Sequence, residues 1–248
     1  MENSRRTEWK QESMWTFAAA LILIGGVFAV ATVLDQAGVG AKEPVRAAII
    51  HDRSFEAALL RFDQEMARTR PEMFGRFTDG DVRIQSCLGF LTATVRPDRL
   101  RFFTDSPNAR HYADCLPLRA AHLGKNPRDF IGPEGALGRI VQDRLDPSKL
   151  AEILPSWIKP MRRLRDAGVE SIDVGRHGVT LRHGGQTATI DVVASADIAG
   201  RGLEDLVVRV TGAGAARYAI LSQDAAGALV PMAPETVIVR AGLGNPSE

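Results

Sequence analysis

"ESIDVGRHGVTLRHGGQTATIDVV", residues 170–193, decides the fold class. In its second half Ala188, Ile190 and Val192 fall on one face, and Thr187, Thr189 and Asp191 on the other. Alternation at period two marks a strand with one buried face. His183-Gly184-Gly185-Gln186 supplies the two glycines that a tight hairpin turn uses for its left-handed backbone. Strand-length apolar runs follow at 206–211, 217–222, 228–231 and 236–240, the spacing of an antiparallel meander or small sandwich. Residues 169–242 are therefore expected to be antiparallel β, with a loose tail at 243–248.

Before Gly168 the pattern is mixed. In "SFEAALLRFDQEMARTRP" (54–71), Phe55, Leu59, Phe62 and Met66 stand four, three and four apart, a helical stripe with Ser54 as its cap. In "DVRIQSCLGFLTATVRPDRLRFF" (81–103), Val82, Ile84 and Ser86 alternate with polar residues before a long apolar run and a turn at 96–99. Strands and a hairpin are expected there, with Cys87 in a strand and Cys115 in the loop that returns to it. Pro, Asn and Gly between 107 and 132 predict irregular structure. A kinked helical stretch is expected over 133–167, with a start at Asp146-Pro147, interruptions at Pro155 and Pro160, and an end at Gly168. The region 53–168 thus reads as mixed α+β, with a boundary at Gly168.

Farther upstream, "WTFAAALILIGGVFAVATVL" (15–34) has no charge. Residues 14–34 as a helix would span about 30 Å, the hydrocarbon thickness of a bilayer. That is longer than the apolar core of a cleaved signal peptide. The expectation is a retained single-pass transmembrane helix, after a tail at 1–13 and before a linker at 35–52. Gly25 and Ala29 form a small-xxx-small pair suited to close helix packing in the membrane. Arg5, Arg6 and Lys10 precede the span, against Lys42 and Arg46 after it, which favours a cytoplasmic N-terminus.

Cys87 and Cys115 are the only cysteines, and both follow the anchor. An even number outside the cytosol is what a disulfide requires, the alternative being two reduced core thiols. Lysine occurs only at positions 10, 42, 125, 149 and 159 among 31 basic residues, so arginine dominates. With the richness in Ala and Gly this suggests a GC-rich bacterial genome. The expected location is a bacterial inner membrane with the C-terminal domain in the periplasm.

Chemistry is harder to find. The net charge is +1, so no global field points to nucleic acid or to an acidic substrate. Ser156-Trp157-Ile158-Lys159 fits the Ser-x-x-Lys signature, but the companion Lys-Thr-Gly triplet is missing and Pro160 breaks the helix. Thr211-Gly-Ala-Gly-Ala-Ala-Arg217 has arginine where a dinucleotide loop needs its third glycine, and a strand-like run follows it. His111, Cys115 and His122 match no compact metal spacing, and an oxidised Cys115 is neither ligand nor nucleophile. Asp79 and Asp81 lack the rest of a calcium loop. His51, His177 and His183 fall at a helix approach and in turns.

The most coherent polar feature is Lys159, Arg162, Arg163 and Arg165, a local cationic field for lipid headgroups or an acidic partner. No residue is assigned a catalytic, metal-binding or cofactor-binding role. The expected function is non-catalytic: a membrane-anchored periplasmic accessory, assembly or scaffold subunit whose partners are other membrane-protein subunits and the bilayer itself. The alternative is a cell-envelope enzyme or ligand-binding protein whose site gathers residues distant in sequence.

Overall fold

The computed structural model describes residues 48–232, apart from 78–79, 95–99, 104–106, 213 and 215. The expected membrane span with Gly25 and Ala29, the turn at 96–99, the strand at 236–240 and the tail lie outside the described residues. Among the described residues no helix is long and apolar enough to cross a membrane.

The alternating region is antiparallel β, as its period dictates. Strands β5 (Ser171–Val174), β6 (Gly178–His183), β7 (Gln186–Ala196), β8 (Asp205–Thr211), β9 (Arg217–Gln223) and β10 (Leu229–Pro231) pair in sequence order as a meander. The sheet curls into a half-barrel. The β6–β7 turn is the expected glycine hairpin, with Gly184 and Gly185 at positive φ. β1 (Ile49–Ile50) extends the sheet by pairing Ile49 with Ser195 and Ile50 with Ala194. The expected linker therefore ends in a strand. Strand β7 can hold both partners on one side because β6 covers only its residues 186–191.

Upstream, helices α1 (Arg53–Leu60) and α2 (Phe62–Ala67) carry the stripe Phe55, Leu59, Phe62 and Met66, all buried. The cap of α1 is Asp52, which accepts from the Phe55 N–H at 2.8 Å, rather than Ser54, whose hydroxyl donates to the same carboxylate. A second, three-stranded sheet follows, ordered β3-β2-β4 from β2 (Met73–Phe77), β3 (Gly80–Ile84) and β4 (Leu100–Phe103).

The apolar run after β3 is a helix, α3 (Cys87–Thr94), and not a strand. Ser86 caps it by accepting from the Gly89 N–H at 3.1 Å, and Cys87 and Leu91, one turn apart, are buried. An apolar run of this length fits either structure by periodicity alone. The stretch expected to be irregular contains a 3-10 helix (Pro107–Tyr112) and helix α4 (Cys115–Leu123). Cys115 thus opens a helix instead of lying in a loop. The kinked region holds helix α5 (Leu137–Arg144), then short 3-10 turns at Pro147–Lys149 and Leu164–Asp166. Asp146 caps the first of these turns, with Pro147 at its first position, as expected.

Two cores sandwich the half-barrel. In β8, Leu206, Val208 and Val210 point to one face and Val207 to the other. The first face packs under α5 and the 3-10 turns, against Leu137, Val141, Leu150 and Leu164. The second packs under α1–α4, against Phe55, Leu59, Leu91 and Leu118. A register shift between Val192 and Ala194 lets β7 send both Val193 and Ala194 into the second core. Both cores draw residues from each side of Gly168, so packing runs continuously across that position.

Candidate functional site

A two-lobed groove runs along β9 between two walls. The first wall is the segment from Arg110 to Pro117. It is pinned by a disulfide joining Cys87 to Cys115, the first residues of α3 and α4, with a Cα separation of 5.2 Å. Buried Arg70 braces the same segment, donating to the Asp114 carboxylate at 2.7 and 3.2 Å and to the His111 carbonyl. The Tyr112 hydroxyl donates to the Pro71 carbonyl at 2.8 Å, and burial pushes this phenol above its ordinary pKa.

The second wall is the stretch 148–157. The Asp146 carboxylate accepts from the Ser148 N–H at 2.9 Å, the Asp146 N–H donates to the Leu229 carbonyl, and Leu150 and Leu154 are buried anchors. Arg217 ties this wall to β9 by donating to the Glu152 carbonyl at 2.7 Å.

One lobe, about 540 Å³, is lined mainly by Phe90, Tyr112, Leu116, Tyr218, Ile220 and Met232, with Lys149 and Glu152 also in its lining. The other, about 770 Å³, is lined by Ser156, Trp157, Gln186, Thr211, Arg110 and Arg217 among others. Among the described residues its charged side chains are the two arginines. Ala113, Ala151 and Ile153 line both lobes, which are therefore contiguous.

Beside the groove lies a charged ladder. Asp191, Arg209 and Tyr218 are cross-strand partners on β7, β8 and β9. Arg209 donates to Asp52 at 2.9 Å and approaches Asp191 at 4.0 Å. Burial alone would raise the Asp52 carboxyl, but the Ser54 hydroxyl, the Phe55 N–H and the Arg209 guanidinium outweigh it and hold the pKa below the usual 3.8. Burial raises the Tyr218 phenol despite the neighbouring Arg209. His51 and His177, far apart in sequence, pack together with ring centroids 4.6 Å apart. Elsewhere, Asp205 accepts from the Ile198 and Ala199 N–H groups at 3.0 and 2.8 Å, Asp197 from those of Arg201 and Gly202, and Glu204 from that of Ile131. These carboxylates hold backbone in place.

The residues singled out in the sequence fare differently. Cys87 and Cys115 meet. His122 stacks on Phe62 at 3.7 Å, while His111 offers its carbonyl to Arg70. The ligand atoms of Cys87, Asp114 and Cys115 lie within 4.8 Å of one another, but sulfurs joined to each other are spent as thiolate ligands. Ser156 lines the cationic lobe, and the segment from it to Lys159 is turn rather than the helix a Ser-Lys pair needs. Thr211 ends β8 and Arg217 begins its antiparallel partner β9, so no helix follows the glycines.

Lys159, Arg162 and Arg163 sit on an exposed loop and Arg165 is exposed on the 3-10 turn Leu164–Asp166, so the four share no α-helix face. The loop is closed by the Lys159 N–H donating to the Ala167 carbonyl at 2.9 Å. Ile158 and Leu164 anchor it in the core.

The groove itself is not legible in the sequence. Its lining comes from 90–117, 148–157, 186, 210–220 and 231–232, and no linear spacing records that convergence. No protein-family model matches the chain, and no curated protein or solved structure is significantly similar to it.

Proposed function

We propose that this chain is a non-catalytic, partner-binding subunit: a membrane-anchored accessory, assembly or scaffold component whose β-rich domain lies in the periplasm and meets other membrane-protein subunits. The carrying observation is the groove, with its rigid walls, an aromatic and aliphatic lobe and an arginine-bearing lobe. Binding surfaces characteristically combine aromatic and methionine side chains with arginine. The nearby charged groups support this reading, because Asp52, Asp191 and Arg209 are engaged with one another. The cationic loop of Lys159, Arg162, Arg163 and Arg165 supplies a second contact, to headgroups or to an acidic partner surface.

A second reading, a cell-envelope ligand-binding protein or enzyme, draws on the size of the cationic lobe and on Ser156, Gln186 and Thr211 in its lining. Purification of the tagged chain from native membranes in mild detergent, followed by mass spectrometry, separates the two. A stoichiometric set of membrane subunits is the expected result; the chain arriving alone favours the second reading.

A further inference from the structure

We propose that the groove binds an extended segment of a partner protein in which a short apolar run is followed by a carboxylate. This deepens the partner-binding reading and rests on it. The argument begins with β9, which lines both lobes: Tyr218, Ala219 and Ile220 in the apolar one, Arg217 in the cationic one. Successive residues of a strand advance about 3.3 Å. Along the strand Ile220 and Arg217 are about 10 Å apart, three residues of an extended occupant. Their side chains leave opposite faces, so such an occupant follows the edge of β9, which β10 pairs only at 221–223.

The two ends differ in chemistry. Phe90, Tyr112, Leu116 and Met232 offer apolar and aromatic surface at one end. At the other, Arg110 and Arg217 are the charged lining residues, and among the described residues no carboxylate joins them to neutralise an approaching anion. One N–H of Arg217 is committed to the Glu152 carbonyl, which orients the guanidinium while further donors remain on it. Trp157 also lines this lobe. An occupant that is apolar throughout leaves the arginines without a partner; a free anion leaves the apolar lobe wet. A peptide with both features matches both lobes.

The walls are also fixed in advance. The disulfide and the Arg70–Asp114 pair lock the first, and the Arg217–Glu152 bond steadies the second. A preorganised groove loses little freedom on binding, so modest contacts suffice for recognition.

The test is fluorescence anisotropy on the full chain in detergent, with labelled synthetic peptides of about nine residues. One peptide carries an alternating Leu/Val run ending in two aspartates, a second ends in two lysines, and a third is the scrambled acidic sequence. The acidic peptide is expected to bind at least about tenfold more tightly than the lysine peptide, with an affinity that falls as salt rises. The double variant Arg110→Glu/Arg217→Glu is expected to reverse that preference. Ala151→Trp, at an exposed position lining both lobes, is expected to weaken every peptide while leaving the thermal midpoint in place.

Equal binding of acidic and lysine peptides overturns the proposal, as does binding that ignores both variants. Peptide binding that emerges only when the chain is ended at Met232 also overturns it and assigns the groove to the chain's own residues 233–248. Co-purified subunits with no peptide preference would leave the accessory reading standing and remove this inference alone.

Discussion

Asp52 and Arg209, 157 positions apart, form an ion pair at 2.9 Å that fastens the start of α1 to the middle of β8. Asp52 does two tasks at once, capping α1 through the Phe55 N–H and neutralising a partly buried guanidinium. Asp52→Asn keeps a good capping side chain and removes the charge, so it isolates the ion pair. Because the folded pKa lies below the unfolded one, the pair stabilises fully at neutral pH and is lost as pH falls through the folded value. We expect Asp52→Asn to cost about 1 kcal/mol at neutral pH, with the difference shrinking toward zero as pH falls below the ordinary 3.8 and through the lower folded value. Asp52→Ala should cost about 1 kcal/mol more, through the lost cap. Urea titrations at several pH values check both.

Removing the disulfide should be expensive. It closes a loop across a separation of 28 residues, worth about 3–4 kcal/mol in the chain-entropy account. Cys87→Ser/Cys115→Ser, or reduction of the wild type, should lower the denaturation midpoint accordingly. An unchanged midpoint under reductant would show that the bond is not formed in the purified protein.

Gly138 in α5 makes an opposite prediction from helix propensity. Alanine is the better helix former by about 1 kcal/mol. A Cβ at this position would meet the Gly175 and Gly178 carbonyl oxygens at 2.1 and 2.5 Å, and those are backbone atoms. Gly138→Ala should therefore destabilise, by about 1–3 kcal/mol net, by lifting α5 off the β5–β6 turn. Calorimetry decides the sign.

Division at Gly168 should not yield two folded pieces. Val179, Leu181, Ile190 and Leu206 pack in one core with Leu137, Val141 and Leu164. Residues 169–242 expressed alone would expose that apolar face. Broad amide resonances from the fragment are expected; a dispersed spectrum would count against a core shared across Gly168.

Orientation is tested separately. A phosphatase fused to the C-terminus should be active, since the arginines before the apolar stretch favour a cytoplasmic N-terminus. An inactive, stably expressed fusion would reverse the proposed topology.

Several of these features could be read directly. The meander from Ser171 to Pro231 followed from period-two alternation and paired glycines, because each strand's pattern and turn are local matters. The stripe from Phe55 to Met66 and the Asp146-Pro147 start were equally local. The stretch after Ser86 is a helix and not the expected strand for a physical reason. "CLGFLTAT" is apolar without period, and only the Ser86 hydroxyl meeting the Gly89 N–H marks it as a helix. The C-terminal part of β7, buried on both faces, likewise shows no alternation to read.

Sequence alone thus determined the antiparallel C-terminal sheet, its turns and which two cysteines were able to pair, because dihedral preference, hydrophobic period and parity act within a few residues or are simple counts. Tertiary structure decided the rest. Two cores on opposite faces of one sheet, the Asp52–Arg209 pair and the groove along β9 all join residues tens to more than a hundred positions apart. Their energies come from desolvation and packing between elements, and that free energy exists only once the chain has brought the elements together.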